Sequence, residues 1–173
     1  MEATNREKWK SVNGFANYEI SNCGRVRNAT TERMLKSSDD GYGYLKINLQ
    51  KEGKSCTMKI HRLVAEAFVD NPEGKRCVDH IDSNRKNNNC ENLRPATHAE
   101  NNRNRSKRAN ASSSYYGVSW VKNREKWKAQ ISINGTVVNL GSFVEEKEAA
   151  AVFNAAALVH YKKFAKLNDL TPV

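Results

Sequence analysis

Asp79, His80, Asn92 and Asn101 are the side chains whose types and spacing could do chemistry, with intervals of 12 and 9 residues after His80. A carboxylate and an amide carbonyl are hard oxygen donors of the kind magnesium prefers, and two such ligands leave room for water and phosphate oxygens. An imidazole beside that cation can take a proton from water, while the cation stabilises a departing oxyanion. Asn92 is placed to orient the imidazole of His80. By spacing alone, the same residues also fit a surface histidine beside an aspartate in a polar loop. Neighbours in a regular strand face opposite ways, so Asp79 and His80 serve one site only if the strand ends or distorts there.

The elements that must position these residues read as follows. Residues 1–60 are short alternating runs broken by turn residues, and Tyr44-Leu-Lys-Ile-Asn-Leu49 alternates as a half-buried strand. This part is predicted to be a small antiparallel β module. Apolar residues at 60, 63, 64, 67 and 68 have a helical period, closed by Asn71-Pro72. Arg76–His80 is predicted as a strand and Asn92-Leu-Arg94 as the start of a second. Eight asparagines fall between 84 and 104; turn chemistry covers Asn87-Asn88-Asn89 well and Asn101, Asn102 and Asn104 poorly. Thr97-His-Ala-Glu100 is a capping box that predicts a helix carrying Asn101. Residues 109–114 are small and polar, a linker. Beyond them, three strands (Gly117–Val121, Trp127–Ile133, Thr136–Leu140) are joined by turns, the second at Asn134-Gly135. A helix is predicted over 145–161 with Ala149, Val152, Phe153, Ala156 and Val159 as its apolar face.

The chain has 173 residues, room for one ordinary domain or two to three small ones. Its 29 basic and 19 acidic side chains give a net charge of +10, which points to a polyanionic partner without establishing one. The excess is +4 over 1–60, +3 over 61–108 and +3 over 109–173, as suits a protein that follows a nucleic acid along its length. No stretch approaches the roughly 20 apolar residues of a membrane span, and the first eight residues hold no apolar run of a secretory signal. The four cysteines form no C-x-x-C pair and are expected to be free thiols; zinc on Cys77 and Cys90 with His80 or His98 is a weaker alternative. These features favour an intracellular protein, in the cytoplasm or the nucleoid.

The pattern His61-Arg-Leu-Val-Ala…Phe68, Val78-Asp79-His80-Ile-Asp82…Asn84…Asn87-Asn88…Asn92-Leu93-Arg94…Thr97…Asn101…Asn104 closely resembles the HNH nuclease family, in the branch found in homing endonucleases. The resemblance implies a ββα-metal fold over 61–108, with His80 as general base, Asp79 and Asn101 as metal ligands and Asn92 as the residue that orients the histidine. The implied metal is divalent, magnesium first and manganese second, and the absence of the C-x-x-C pairs of many relatives removes the expectation of structural zinc. His61 and Arg62 match a recurrent part of the pattern, His61 either packing its helix or contacting phosphate. Ahead of this core, Trp9…Gly14…Tyr18-Glu-Ile-Ser21-Asn22-Cys-Gly24-Arg-Val looks like a small nuclease-associated modular domain, with Arg25, Arg27 and Lys36 as phosphate candidates.

Residues 115–173 resemble the Apetala-2/ethylene-response-factor type of DNA-binding domain through Tyr116-Gly-Val118, Lys126-Trp-Lys-Ala-Gln-Ile131, Val138-Asn-Leu-Gly-Ser-Phe143, Glu148-Ala-Ala and Lys166-Leu-Asn168. In that fold a three-stranded antiparallel sheet packed on one helix enters the major groove. The matched contact positions are Tyr116, Ser119, Val121, Gln130, Ser132, Val137 and Asn139, with Lys122, Arg124, Lys126 and Lys128 on phosphates. Arg62, Arg94, Arg103 and Arg105 complete the candidate DNA contacts. Several arginines of the plant pattern are Tyr, Ser or Val here, so direct guanine readout is weakened.

The sequence therefore predicts an α+β chain: an N-terminal β module, a ββα-metal core and a C-terminal sheet on one helix. Its predicted activity is metal-dependent endonuclease action on double-stranded DNA, one strand nicked per active site, by a monomer or weak dimer with no membrane partner. The alternative is a non-catalytic, sequence-specific DNA-binding regulator on a degenerate HNH scaffold.

Overall fold

Strand β1 (Trp9–Val12) opens the chain in the computed structural model, which describes residues 7–103 and 112–171. These form two units, one ending at Thr97 and the other beginning at His98.

In the first unit, β1 pairs in sequence with β2 (Phe15–Ser21), β3 (Val26–Asn28) and β4 (Met34–Leu35) in an antiparallel sheet. A second antiparallel sheet holds β5 (Ser38–Asp39), β6 (Leu45–Lys51) and β7 (Lys54–Lys59). Among the described residues before residue 60, the antiparallel strands form two sheets. Their alternation is as predicted on β6, where Ile47 and Leu49 are buried and Asn48 is exposed.

Helix α1 (Ile60–Phe68) follows without a linker. Its apolar stripe brings Ile60, Leu63 and Val64 into one core with Val12, Ile20 and Val26 of the first sheet, Ile47 and Leu49 of the second, and Leu93. Each such side chain removed from water contributes about 1.5–3 kcal/mol, so the helix is the hub that joins both sheets. The change of texture at residue 60 is a change of element within one packed core. Leu93 opens β9 (Leu93–Ala96), which pairs antiparallel with β8 (Cys77–His80) in a two-stranded ribbon.

The second unit begins with the short helix α2 (His98–Arg103). Strands β10 (Val118–Val121), β11 (Lys126–Ile133) and β12 (Thr136–Phe143) form an antiparallel sheet in that order. The β11–β12 turn is Asn134-Gly135, with φ of 51° and 85°, the left-handed pair a tight hairpin requires. Helix α3 (Glu146–Tyr161) covers the sheet with Ala149, Ala150, Phe153 and Ala157. The buried face is therefore rotated from the predicted one: Val159 is 68% exposed and Ala150 and Ala157 are buried instead. A helix so rich in alanine is apolar around much of its circumference, and periodicity does not single out one face. Gly117, at φ +71°, lets the chain pass Phe153, whose ring would overlap any Cβ placed there. Among the described residues, no helix is long and apolar enough to cross a membrane.

Candidate active site

His80 is the last residue of β8, and the chain leaves the ribbon there in a turn closed by the Ser83 N–H on the His80 carbonyl (2.9 Å). The strand thus ends where the sequence required it to. Asp79 and His80 are both buried, at 3% and 4% exposure. Asp79 stands across from Arg94, which donates Nε (2.9 Å) and Nη2 (2.7 Å) to Asp79 Oδ2. His80 faces the aromatic ring of Tyr44, 6.0 Å between centroids, and the edge of His61 at 5.2 Å.

Asn88 fixes the imidazole of His80. Its Oδ1 lies 3.1 Å from His80 Nε2, while its Nδ2 donates to the Lys86 carbonyl (3.2 Å). With the amide nitrogen donating to Lys86, the Asn88 oxygen facing the ring is matched by the Nε2–H tautomer of His80. In that tautomer Nδ1 is the basic nitrogen of the ring. Burial holds the His80 pKa below its ordinary value, against the Asn88 hydrogen bond and the charges of Asp82 and Asp79. A neutral imidazole at neutral pH is the state a general base needs.

Asn92 does not take the place predicted for it. Its Nδ2 donates to Asp82 Oδ1 (2.9 Å) and to the Asn87 carbonyl (2.8 Å), and its Oδ1 accepts the Asp82 N–H (3.0 Å). Asp82 also accepts from Asn87 Nδ2 (2.7 Å) and the Asn84 N–H (2.7 Å). Asn92 therefore clamps the polar loop from inside, and Asn88, four residues earlier on that loop, meets the histidine. Asp82 is pulled two ways: burial raises its pKa, and the bonds from Asn87, Asn84 and Asn92 with the charge of His80 lower it further than that.

His61 lies on α1. It is 5% exposed, its Nδ1 has no hydrogen-bond partner, and its ring packs 5.0 Å from Tyr44. Burial, followed by the charges of His80, Lys59 and Arg62, pushes its pKa down to about 3. Lys59 Nζ and the Arg85 guanidinium lie 4.6 and 4.7 Å from the Tyr44 ring centre. Tyr44, Arg85 and Asn88 are neighbours of His80 that sequence reasoning did not single out. Asn88 was hidden among residues whose type already suited turns, and Tyr44 read only as one member of an alternating strand.

The remaining candidates divide by location. Arg62 is exposed on α1, beside Lys75 and Arg76 along a groove of about 450 Å³. Arg94, a candidate DNA contact, is ion-paired with Asp79. Arg25 and Arg27 are engaged by Glu7 and by Glu19 and Glu32 respectively. Asn101 and Arg103 lie on α2 in the second unit, where Arg103 stacks 4.4 Å over the Tyr161 ring. Asp79, the other expected metal ligand, belongs to the first unit. Arg105, like Asn104, lies outside the described residues.

On the C-terminal sheet, cross-strand pairs Ser119–Lys128, Val121–Lys126, Gln130–Asn139 and Ser132–Val137 share the face away from α3. Lys122 and Arg124 are exposed in the turn between β10 and β11. Tyr116 differs: its ring packs at the Ile131–Phe153 core, and Asn168 bonds its backbone N–H and carbonyl at 2.5 and 3.1 Å. A bulge on β12 brings Leu140 to the core, while Val138, across from Ile131, is 38% exposed at the sheet edge.

Residues 58–103 match the HNH endonuclease family model, and residues 7–50 match the NUMOD4 motif. The central segment of the chain is thus similar to HNH endonucleases, and the segment before it to the NUMOD4 motif. The DNA endonuclease I-HmuI of Bacillus phage SP01 is 40% identical over 91 residues, 52% of each chain. An uncharacterized HNH endonuclease of Acanthamoeba polyphaga mimivirus, L245, is 44% identical over 86 residues, 50% of this chain and 26% of the relative. The chain thus spans about a quarter to a half of these relatives' lengths. A solved structure titled for DNA binding and cleavage by the HNH homing endonuclease I-HmuI aligns with a TM-score of 0.53 at 29% identity. It covers 90% of this chain and 91% of that one. The chain therefore shares its overall α+β fold with that structure.

Proposed function

We propose that this chain is a metal-dependent endonuclease that hydrolyses a phosphodiester of double-stranded DNA. The observation that carries the reading is the buried, oriented His80 at the end of β8, adjoining the buried carboxylate of Asp79 within the segment matched as HNH endonuclease. The base would be His80 Nδ1, with Nε2–H held by Asn88. Asn92 acts on the histidine indirectly, by closing the loop that presents Asn88.

Asp79 and the Asn101 amide are the proposed ligands for a divalent ion, magnesium or manganese. The fit rests on chemistry present in the chain: Asp79 is a buried carboxylate that already has a cation, Arg94, against it. Carboxylate and amide oxygens are the donors such ions take, and the bound ion would stabilise charge on the leaving oxygen. One such site per chain corresponds to one strand cut per binding event.

The division of labour would follow the segments. Residues 61–108 carry the chemistry, 1–60 support and flank it, 109–114 link, and 115–173 hold the duplex through the outward sheet face and Lys122, Arg124, Lys126 and Lys128. The phage and viral sources of the relatives suit action on DNA inside an infected cell. Nicking of supercoiled plasmid with magnesium or manganese, with and without chelator, tests the reading. Metal-dependent nicking supports it; tight duplex binding without any metal-dependent cleavage supports the non-catalytic regulator.

A further inference from the structure

The turn at Ser21–Gly24 lies in the NUMOD4 segment, more than fifty residues before His80, and is among the most buried polar parts of the chain. Ser21 is 0% and Asn22 4% exposed. Internal bonds hold it: Ser21 Oγ accepts the Arg25 N–H (3.0 Å), and Asn22 Oδ1 accepts the Lys8 N–H (2.8 Å). A solvated turn in a DNA-contacting module has no need of such burial.

Its cover is the loop that holds the histidine. The Asn22 carbonyl accepts the Cys90 N–H at 2.8 Å. Gly24, at φ +88°, lies so close to Asn88 that an added Cβ would sit 2.8 Å from Asn88 Cβ and 3.3 Å from both its carbonyl oxygen and Ile60 Cγ2. Asn88 is itself 4% exposed and carries the oxygen that faces His80 Nε2. A path of direct contacts therefore runs from the turn through Asn88 to the imidazole. Glycine is required at its tightest point both for space and for backbone conformation.

We propose that the Ser21–Gly24 turn is part of the catalytic apparatus, a buttress that presses Asn88 against His80 and so fixes the ring's tautomer and aim. Asn88 is the positioning residue, and Asn22 and Gly24 act through it. The catalytic consequence rests on His80 being the base; the geometric one does not. On this view the N-terminal segment contributes to the chemical step, beyond any hold on DNA.

The test uses the full chain with ¹⁵N-labelled histidine, comparing wild type, Asn88→Ala, Gly24→Ala and Asn22→Ala. Wild-type His80 should be the Nε2–H tautomer. Gly24→Ala and Asn22→Ala should mix the tautomers as Asn88→Ala does, and slow single-turnover nicking about 10- to 100-fold, the scale of a small misplacement, with duplex affinity unchanged. Asn22→Ala keeps the glycine turn, so it carries the test should Gly24→Ala not fold. A folded Asn22→Ala or Gly24→Ala chain with the wild-type tautomer and nicking rate overturns the proposal. So does lost duplex affinity with unaltered single-turnover cleavage. If His80→Ala nicks as wild type, the base assignment fails, while the tautomer of His80 in the turn variants still decides whether the buttress exists.

Discussion

At the residue scale, the two groups at the end of β8 are held by opposite means. Asp79 has a charge partner, and His80 has a neutral one. Removing one member of a buried ion pair leaves the other charge uncompensated, typically at about 3–5 kcal/mol. Asp79→Ala should therefore lower stability by about that much in urea titration, in addition to its effect on cleavage. Asp79→Asn, which keeps an acceptor for Arg94, should cost less. His61 makes a separate prediction about pH. Its pKa falls from 6.5 in the unfolded chain to about 3 in the folded one. The unfolded state thus binds the extra proton between these values, so the stability is fully present above 6.5 and is lost as pH falls toward 3. The slope should approach about 1.4 kcal/mol per pH unit below 6, and His61→Phe should flatten it in urea midpoints measured from pH 7 to 5. Asp79 and His80 stand out in the sequence through the wider pattern around them, since the pair alone also fits a surface histidine beside an aspartate in a polar loop. Asn88 does not, because an asparagine in a polar run looks the same whether it shapes a turn or orients a histidine. The difference lies in a contact eight residues away in sequence.

At the scale of elements, α1 does more than start the nuclease segment. Leu63 and Val64 share one core with both N-terminal sheets and with β9. Leu63→Ala should cost about 2–5 kcal/mol and lower one cooperative transition for residues 7–97, with Trp9 fluorescence and far-UV circular dichroism moving together. Two separate transitions would mean that the β sheets fold apart from the nuclease core. Elements with a single strong signal were legible: the period of α1, the Asn134-Gly135 hairpin, and the alternation of β6 and β11. The shared core was not, because texture along a chain reports local period and carries no information on which apolar faces meet. The rotated face of α3 has a related cause, since small alanines satisfy several faces equally and the position of Phe153 against Gly117 settles which one is buried.

At the scale of the whole molecule, the +10 charge is distributed over two packing units. Helix α2, which carries Asn101, packs with the second unit, so removing residues 109–173 strips support from a proposed metal ligand as well as a DNA-contacting face. Point substitution separates the two. Replacing Lys122, Arg124, Lys126 and Lys128 together with alanine should weaken duplex binding and reduce the slope of log K against log salt by about 0.9 for each phosphate that is no longer neutralised. Single-turnover cleavage at saturating protein should stay the same. The most direct measurement remains single-turnover nicking of supercoiled plasmid in magnesium by wild type and by folded His80→Ala. The rate should fall about 10²- to 10⁴-fold on loss of the base, and chelator should abolish the wild-type reaction. Undiminished nicking by His80→Ala would contradict His80 as the base that activates water.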